Sequence, residues 1–125
     1  MEPTLARILL ADDDPEYRVA FTEAMDAVGH SVAAFGTVAE ALEALRTEAF
    51  DIVFLDVIMD GGGAITAIHN VRAHDPDIPV VVITGRSELI DSPLFTKGLR
   101  SADAKIAKTS TLAELSEVVR VLTKN

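Results

Sequence analysis

The sequence predicts an α/β domain built on a parallel sheet with helices on both faces. Short apolar runs alternate with helix-like patterns along the whole chain, which is typical of this class. The run at residues 79–83 is apolar throughout, as expected for a strand that is covered on both sides. A length of 125 residues with 49% apolar content is enough for one domain with a real core.

The first strand, the first helix and the second strand follow from local signals. A strand is predicted near residues 7–11 and another near residues 31–35. The helix between them begins at Pro15, because Asp14 can cap it and proline suits the first helical position. Gly29 ends it. Its predicted apolar stripe consists of Tyr17, Phe21, Ala24, Met25 and Val28.

The middle of the chain continues the alternation. A second helix begins after Thr37, which forms a capping-box pattern with Glu40. A third strand is predicted near residues 51–55, and a third helix over residues 64–73. The third helix ends before Pro76, which cannot continue it.

The last third predicts two more strands and two more helices. The fourth strand lies near residues 79–84 and the fifth near residues 104–107. A short fourth helix is expected within residues 87–101, where a proline and a glycine disfavour a long one. A second capping box, Thr111 with Glu114, begins the fifth helix. Few residues follow this helix, so a single domain over residues 1–125 without an output domain is expected.

Composition excludes several function classes. The absence of cysteine rules out disulfides, thiolate metal sites and a cysteine nucleophile. A net charge of −9 argues against nucleic acid as a direct ligand. The sequence contains neither an apolar run long enough to span a membrane nor a signal-peptide pattern, so a cytoplasmic location without membrane contact is expected.

Polar residues follow four of the predicted strands. They are Asp12 and Asp13 after the first, Asp56 after the third, Thr84 at the end of the fourth and Lys108 after the fifth. The carboxyl ends of parallel strands open into one crevice, so these side chains are expected to meet there. Carboxylates, a hydroxyl and an ammonium together suit a divalent cation and a phosphoryl group.

These residues resemble the receiver domain of two-component response regulators, and the resemblance extends over essentially the whole chain. The matching segments are Asp12-Asp13, Asp56-Val57-Ile58-Met59, Thr84 and Lys108. The resemblance, nearest to single-domain chemotaxis regulators, implies a flavodoxin-like doubly wound sheet of five parallel strands. The strand order would be 2-1-3-4-5, with five flanking helices.

The resemblance also implies a chemistry. Asp56 would accept a phosphoryl group from a sensor histidine kinase or a phosphotransfer protein. Mg²⁺ would be held by Asp13, Asp56 and the Ile58 backbone carbonyl, with Asp12 acting through a water molecule. Lys108 and Thr84 would contact phosphoryl oxygens. Such a protein catalyses only its own phosphorylation and dephosphorylation, and it signals to an effector protein, here unknown.

Three positions depart from the family pattern. Thr109 follows the lysine where proline is usual, so a trans peptide is expected there. Lys105 stands where an aromatic switch residue is usual, and an ammonium cannot fill an apolar slot as a ring does. Asp60 replaces another proline. We therefore expect a phosphoacceptor that signals through an atypical face formed by the fourth helix, fifth strand and fifth helix, with Thr84 and Lys105 as the switch positions.

Two alternatives stay open from the sequence. The first is a degenerate receiver that acts as a constitutive protein-interaction module, which the departures at Lys105 and Thr109 favour. The second is a phosphohydrolase similar to haloacid dehalogenases, whose Asp-x-Asp-x-Thr pattern Asp12-x-Asp14 partly fits. Glu16 occupies the position of the required threonine, which disfavours the second alternative.

Overall fold

Five parallel strands form one sheet in a computed structural model, which describes residues 6–57, 64–85, 93 and 101–123. The strands are β1 (Arg7–Ala11), β2 (Ser31–Phe35), β3 (Ile52–Asp56), β4 (Val80–Thr84) and β5 (Ala104–Ala107). Their order across the sheet is β2-β1-β3-β4-β5, and every neighbouring pair is parallel. The predicted fold class and strand order are thereby confirmed.

The described part of the chain contains four helices, one fewer than the sequence predicts. They are α1 (Pro15–Ala27), α2 (Val38–Thr47), α3 (Ala64–His74) and α4 (Leu112–Leu122). The helix α4 is the fifth predicted one. The fourth predicted helix, within residues 87–101, lies outside the described residues except at 93 and 101. No described helix has the length and apolar character that a membrane crossing requires.

The helix ends are formed by the residues that the sequence indicates. The Asp14 carboxylate accepts hydrogen bonds from the backbone N–H groups of Glu16 and Tyr17, at 3.0 and 3.4 Å. Gly29 has a φ of 97°, a left-handed conformation that favours glycine, just after α1. At the start of α4, Thr111 and Glu114 form a complete reciprocal capping box.

The strands bury alternate residues against opposite helix layers, because successive side chains of a strand point to opposite faces. On one face the buried residues of α1 and α4 pack on Ile8, Leu10, Ile52, Phe54, Val81 and Ile83. On the other face those of α2 and α3 pack on Leu9, Ala11, Val53, Leu55, Val80 and Val82. The doubly wound architecture therefore follows from near-continuous apolar strands.

Three sequence-based details need correction. β3 begins at Ile52 and includes Asp56, because Ile52 is the first residue paired with β1 and Asp56 still pairs with Ile83 of β4. β4 begins at Val80, so the predicted range 79–84 is one residue too long. Val28 caps the C-terminus of α1 and is 43% exposed, outside the buried stripe.

Arg72 of α3 connects several segments at the sheet end opposite the predicted site. Its guanidinium donates to the backbone carbonyls of Ile78 and Ser101 and to the Asp103 carboxylate, the last at 2.9 Å. The same Asp103 oxygen accepts from Val80 N at 2.8 Å. This network ties α3 to the beginnings of β4 and β5.

Candidate functional site

The side chains of three predicted site residues point to the same face of the sheet. Asp12, Asp56 and Lys108 continue the alternate positions of β1, β3 and β5 that face α1 and α4. Asp12 and Lys108 lie just past the ends of their strands, but their backbones still pair with the neighbouring strands. Asp12 N donates to Phe35 O at 3.0 Å, and Lys108 N donates to Thr84 O at 2.8 Å. The three side chains therefore converge at the carboxyl edge of the sheet.

Lys108 is the cation at the centre of this convergence. Its Nζ lies 2.7 Å from Asp12 Oδ2 and 3.4 Å from Asp56 Oδ2. The ammonium is the ion-pair partner of the buried Asp12 Oδ2 atom. Burial alone would lower the pKa of Lys108, but hydrogen bonding to Asp12 and the charges of Asp56 and Asp12 outweigh it, and the pKa is raised.

Three carboxylates form the anionic part of the site. One oxygen each from Asp12, Asp13 and Asp56 lies within 4.8 Å of the others. Asp12 is fully buried, Asp56 is 5% exposed, and Asp13 is exposed. Three carboxylates against one ammonium leave two formal negative charges, and oxygen ligands of this kind fit a divalent cation such as Mg²⁺. The donor set therefore fits the predicted metal.

Asp12 is held in place by its local backbone. Its Oδ1 accepts a hydrogen bond from Asp14 N at 2.9 Å. Its carbonyl accepts one from Arg18 Nη1 at 2.8 Å. A Cβ on Gly36 would come within 3.1 Å of that guanidinium, so the small residue gives Arg18 its space. Because Asp14 caps α1, the Asp12-x-Asp14 pattern that suggested a hydrolase is accounted for by helix initiation.

Thr84 and Lys105 belong to the opposite face of the sheet. Thr84 is 2% exposed and pairs with Ala107, while Lys105 pairs with Val82. Both therefore point toward the side on which α3 packs. Lys105 is half-buried on β5, an edge strand, and its side chain makes no ion pair or hydrogen bond with described residues. The two predicted switch positions thus share a face that excludes Lys108.

The structure describes the peptide after Lys108 but not the loop after β3. The Lys108–Thr109 peptide is trans, and Lys108 nevertheless reaches the carboxylates. Gly85 leaves room beside the lysine stem, since a Cβ there would lie 3.7 Å from Lys108 Cδ. Ile58, Asp60 and the glycines at 61–63 fall outside the described residues.

Tyr17 is a site residue that the sequence assigned only to the apolar stripe of α1. Its ring centroid lies 4.8 Å from Lys108 Nζ. Burial, with the negative charges of Asp12 and Asp56, raises the pKa of its phenol to about 12, so the phenol is neutral at physiological pH. The sequence signal that could have identified Tyr17 as a site residue is an amphipathic side chain on the first helical turn after an acidic loop.

Comparison with known proteins decides the family. The profile of the response regulator receiver domain matches residues 8–120. The chain belongs to the response regulator receiver domain family. Receiver domains are signalling switches of two-component systems that take phosphoryl groups from histidine kinases or phosphotransfer proteins, rather than enzymes acting on a separate substrate.

Individual relatives agree with this assignment. The DNA-binding response regulator MtrA of Mycolicibacterium smegmatis is 33% identical over 121 residues, which is 96% of this receiver and 51% of MtrA. The C4-dicarboxylate transport transcriptional regulatory protein DctD of Rhizobium meliloti is 30% identical over 82 residues, 66% of this receiver and 18% of DctD. The receiver thus spans about half the length of MtrA and less than a fifth of DctD.

A solved structure has the same fold. Response regulator TrrA from Thermotoga maritima, in complex with Mg²⁺–BeF, superimposes with a TM-score of 0.84 at 25% identity. The match covers 94% of this receiver and 99% of TrrA.

Proposed function

We propose that this receiver is a phosphoacceptor switch in which Asp56 takes the phosphoryl group. The supporting observation is the position of Asp56 at the carboxyl end of β3. It lies with Asp12 and Asp13 in a cluster of carboxylate oxygens within 4.8 Å and has the Lys108 ammonium 3.4 Å away. A carboxylate nucleophile, two further acids and a cation are the groups that phosphoryl transfer to an acid requires.

Asp13 and Asp56 would bind Mg²⁺ directly, together with the Ile58 carbonyl, and Asp12 would act through a water molecule. When bound, the cation supplies the positive charge that lets a phosphoryl group approach a carboxylate. The exposure of Asp13 supports this assignment, because it leaves one ligand accessible from solvent, whereas Asp12 is buried against Lys108.

The protein's own groups then carry the transfer. An Asp56 carboxylate oxygen attacks phosphorus in line with the leaving group, a C–O–P linkage forms, and the P–N bond to the donor histidine breaks. The histidine nitrogen leaves with the bonding electron pair and takes up a proton. Lys108 stabilises the charge on the phosphoryl oxygens, and the Thr84 hydroxyl donates to one of them after transfer.

The output step is proposed to use an atypical face around β5 and α4, together with the fourth predicted helix. Thr84 and Lys105 lie on the same side of the sheet. Movement of Thr84 toward the phosphoryl group can therefore change the surroundings of the Lys105 side chain. Lys105 occupies the place of an aromatic residue and is half-buried on the edge strand β5.

This output step can be tested with beryllofluoride as the phosphoryl analogue. Backbone NMR shifts of β5 and α4 are compared between the parent and Lys105→Tyr, each with and without Mg²⁺ and beryllofluoride. We expect the substitution to change the activation-dependent shifts at both elements. Identical activation shifts in the two proteins would remove position 105 from the switch.

Phosphorylation itself is tested by intact-mass analysis after incubation with Mg²⁺ and acetyl phosphate, beside Asp56→Asn. We expect one labile phosphate adduct on the parent and none on the variant. Calorimetry of Mg²⁺ binding is run in parallel. If the parent shows neither adduct nor Mg²⁺ binding, the domain is a constitutive protein-interaction module, the function that Lys105 and Thr109 favour.

The partners are proposed at the level of class. The donor is a sensor histidine kinase or a phosphotransfer protein, and the effector is another protein. The argument from charge against nucleic acid concerns these 125 residues alone. MtrA, of which this receiver spans 51%, is a DNA-binding regulator, so the argument does not extend to a longer protein containing this domain.

A further inference from the structure

The Lys108 ammonium is enclosed by three side chains. Asp12 and Asp56 lie 2.7 and 3.4 Å from Nζ, and the Tyr17 ring centroid lies 4.8 Å away. The lysine side chain is only 18% exposed.

The Tyr17 ring is anchored in the core. It packs against Phe21 with ring centroids 6.0 Å apart, and Phe21 meets Phe54 edge-on at 5.0 Å. Phe21 is 2% exposed and Phe54 is fully buried. A row of three rings therefore runs from the middle of the sheet to the lysine. The ring that faces Lys108 therefore packs on the core.

We infer that Tyr17 is a positioning residue that holds the Lys108 ammonium against the Asp12 and Asp56 carboxylates. The negative face of an aromatic ring attracts a cation, and the attraction grows when water is excluded. The inference rests on the proposed function, in which Lys108 contacts the phosphoryl group. It adds a restraint from α1 to the backbone pairing at the end of β5 and the two ion pairs that already hold this lysine.

The ring, rather than the hydroxyl, carries this role. The phenolic oxygen is buried and accepts or donates no hydrogen bond among the described residues. A phenylalanine would keep the aromatic face at the same place. A leucine would keep apolar volume and remove that face, so the pair Tyr17→Phe and Tyr17→Leu separates the two contributions.

The first test needs no phosphorylation. Because Lys108 Nζ lies over the Tyr17 ring, 4.8 Å from its centroid, we expect the ring current to shift the protons on the neighbouring Cε upfield. In ¹³C-lysine-labelled protein we expect one upfield lysine signal, assigned through Lys108→Arg, in the parent and in Tyr17→Phe. In Tyr17→Leu this signal should return to the range of the other lysines. An unchanged position in Tyr17→Leu overturns the inference, whether or not the protein accepts phosphate.

The second test measures the rate of phosphorylation by acetyl phosphate at saturating Mg²⁺. We expect Tyr17→Leu to be about three- to tenfold slower than the parent, the size of one cation–π contact. Tyr17→Phe should remain within about twofold. Phe21→Leu is the matched control, because it removes the neighbouring ring of the same row without touching Lys108.

A merely structural role would give different results. Distortion of the carboxylate cluster would weaken Mg²⁺ binding, whereas loss of the restraint on Lys108 leaves it unchanged or stronger, as calorimetry can show. Weakened Mg²⁺ binding in Tyr17→Leu, an equal slowing in Phe21→Leu, or an equal slowing in Tyr17→Phe would each overturn the inference. A parent that neither takes phosphate nor binds Mg²⁺ refutes the proposed function, and the lysine signal then decides the inference alone.

Discussion

Lys108→Met should destabilise the metal-free protein strongly. The substitution keeps an unbranched side chain of similar length and removes the ammonium. Asp12, which is fully buried, then loses the cation 2.7 Å from its Oδ2, and Asp56 loses the same cation at 3.4 Å. Two carboxylates that share one cation are left facing each other, together with Asp13.

The magnitude follows from the two distances. With an effective dielectric constant of about 20, the gross attractions are about 6 and about 5 kcal/mol. Dehydration of the ammonium and loss of side-chain freedom offset most of this gain, and removal of one partner from a buried pair costs about 3–5 kcal/mol. The lysine keeps 18% of its side chain exposed, so we expect about 3 kcal/mol.

Urea unfolding followed by circular dichroism measures this loss, in EDTA and in saturating MgCl₂. The difference between parent and variant should shrink in Mg²⁺, because the divalent cation supplies the missing charge and binds without competition from Nζ. Lys105→Met makes the same chemical change on an edge strand and should cost less than about 1 kcal/mol. Equal stability of parent and Lys108→Met in EDTA, or a difference that does not respond to Mg²⁺, would refute this account of the site.

Other consequences concern the scaffold. Arg72→Met should lower the free energy of unfolding by about 2–3 kcal/mol, because it removes the donors to two backbone carbonyls and to Asp103. A urea midpoint equal to that of the parent would contradict this. Thr111→Ala should cost about 1 kcal/mol in the same assay by breaking the capping box with Glu114, and no loss would show that the cap is unimportant. The phenol of Tyr17, the single tyrosine, should ionise with a pKa of about 12 in the folded protein instead of 10.0. Its neutral form therefore stabilises the fold below pH 10 and this contribution is lost as pH rises toward 12; ultraviolet titration of the folded protein with a midpoint near 10 would contradict it.

The sheet and the strand-end residues could be predicted because they depend on local patterns. Near-continuous apolar runs require cover on both faces, and the two-residue period then decides which side chains share a face. Asp14, Gly29 and Thr111 act through atoms within a few residues of themselves, so their roles as caps could be seen in the sequence.

Contacts between distant elements could not be predicted in the same way. The meeting of Tyr17 with Lys108 depends on where α1 lies relative to the end of β5, which no local pattern specifies. The bonds from Arg72 to the segment before β4 and to Asp103 likewise depend on how α3 packs. In helix periodicity, Tyr17 is indistinguishable from a core residue, because its ring does pack on the core.

The most direct test of the central claim is to locate the phosphoryl group on the chain. Protein treated with Mg²⁺ and acetyl phosphate is reduced with borohydride, which converts an aspartyl phosphate to homoserine, and the peptides are sequenced by mass spectrometry. We predict homoserine at position 56 and at no other position. Homoserine at Asp12 or Asp13 with Asp56 intact would contradict the assignment of the phosphoacceptor.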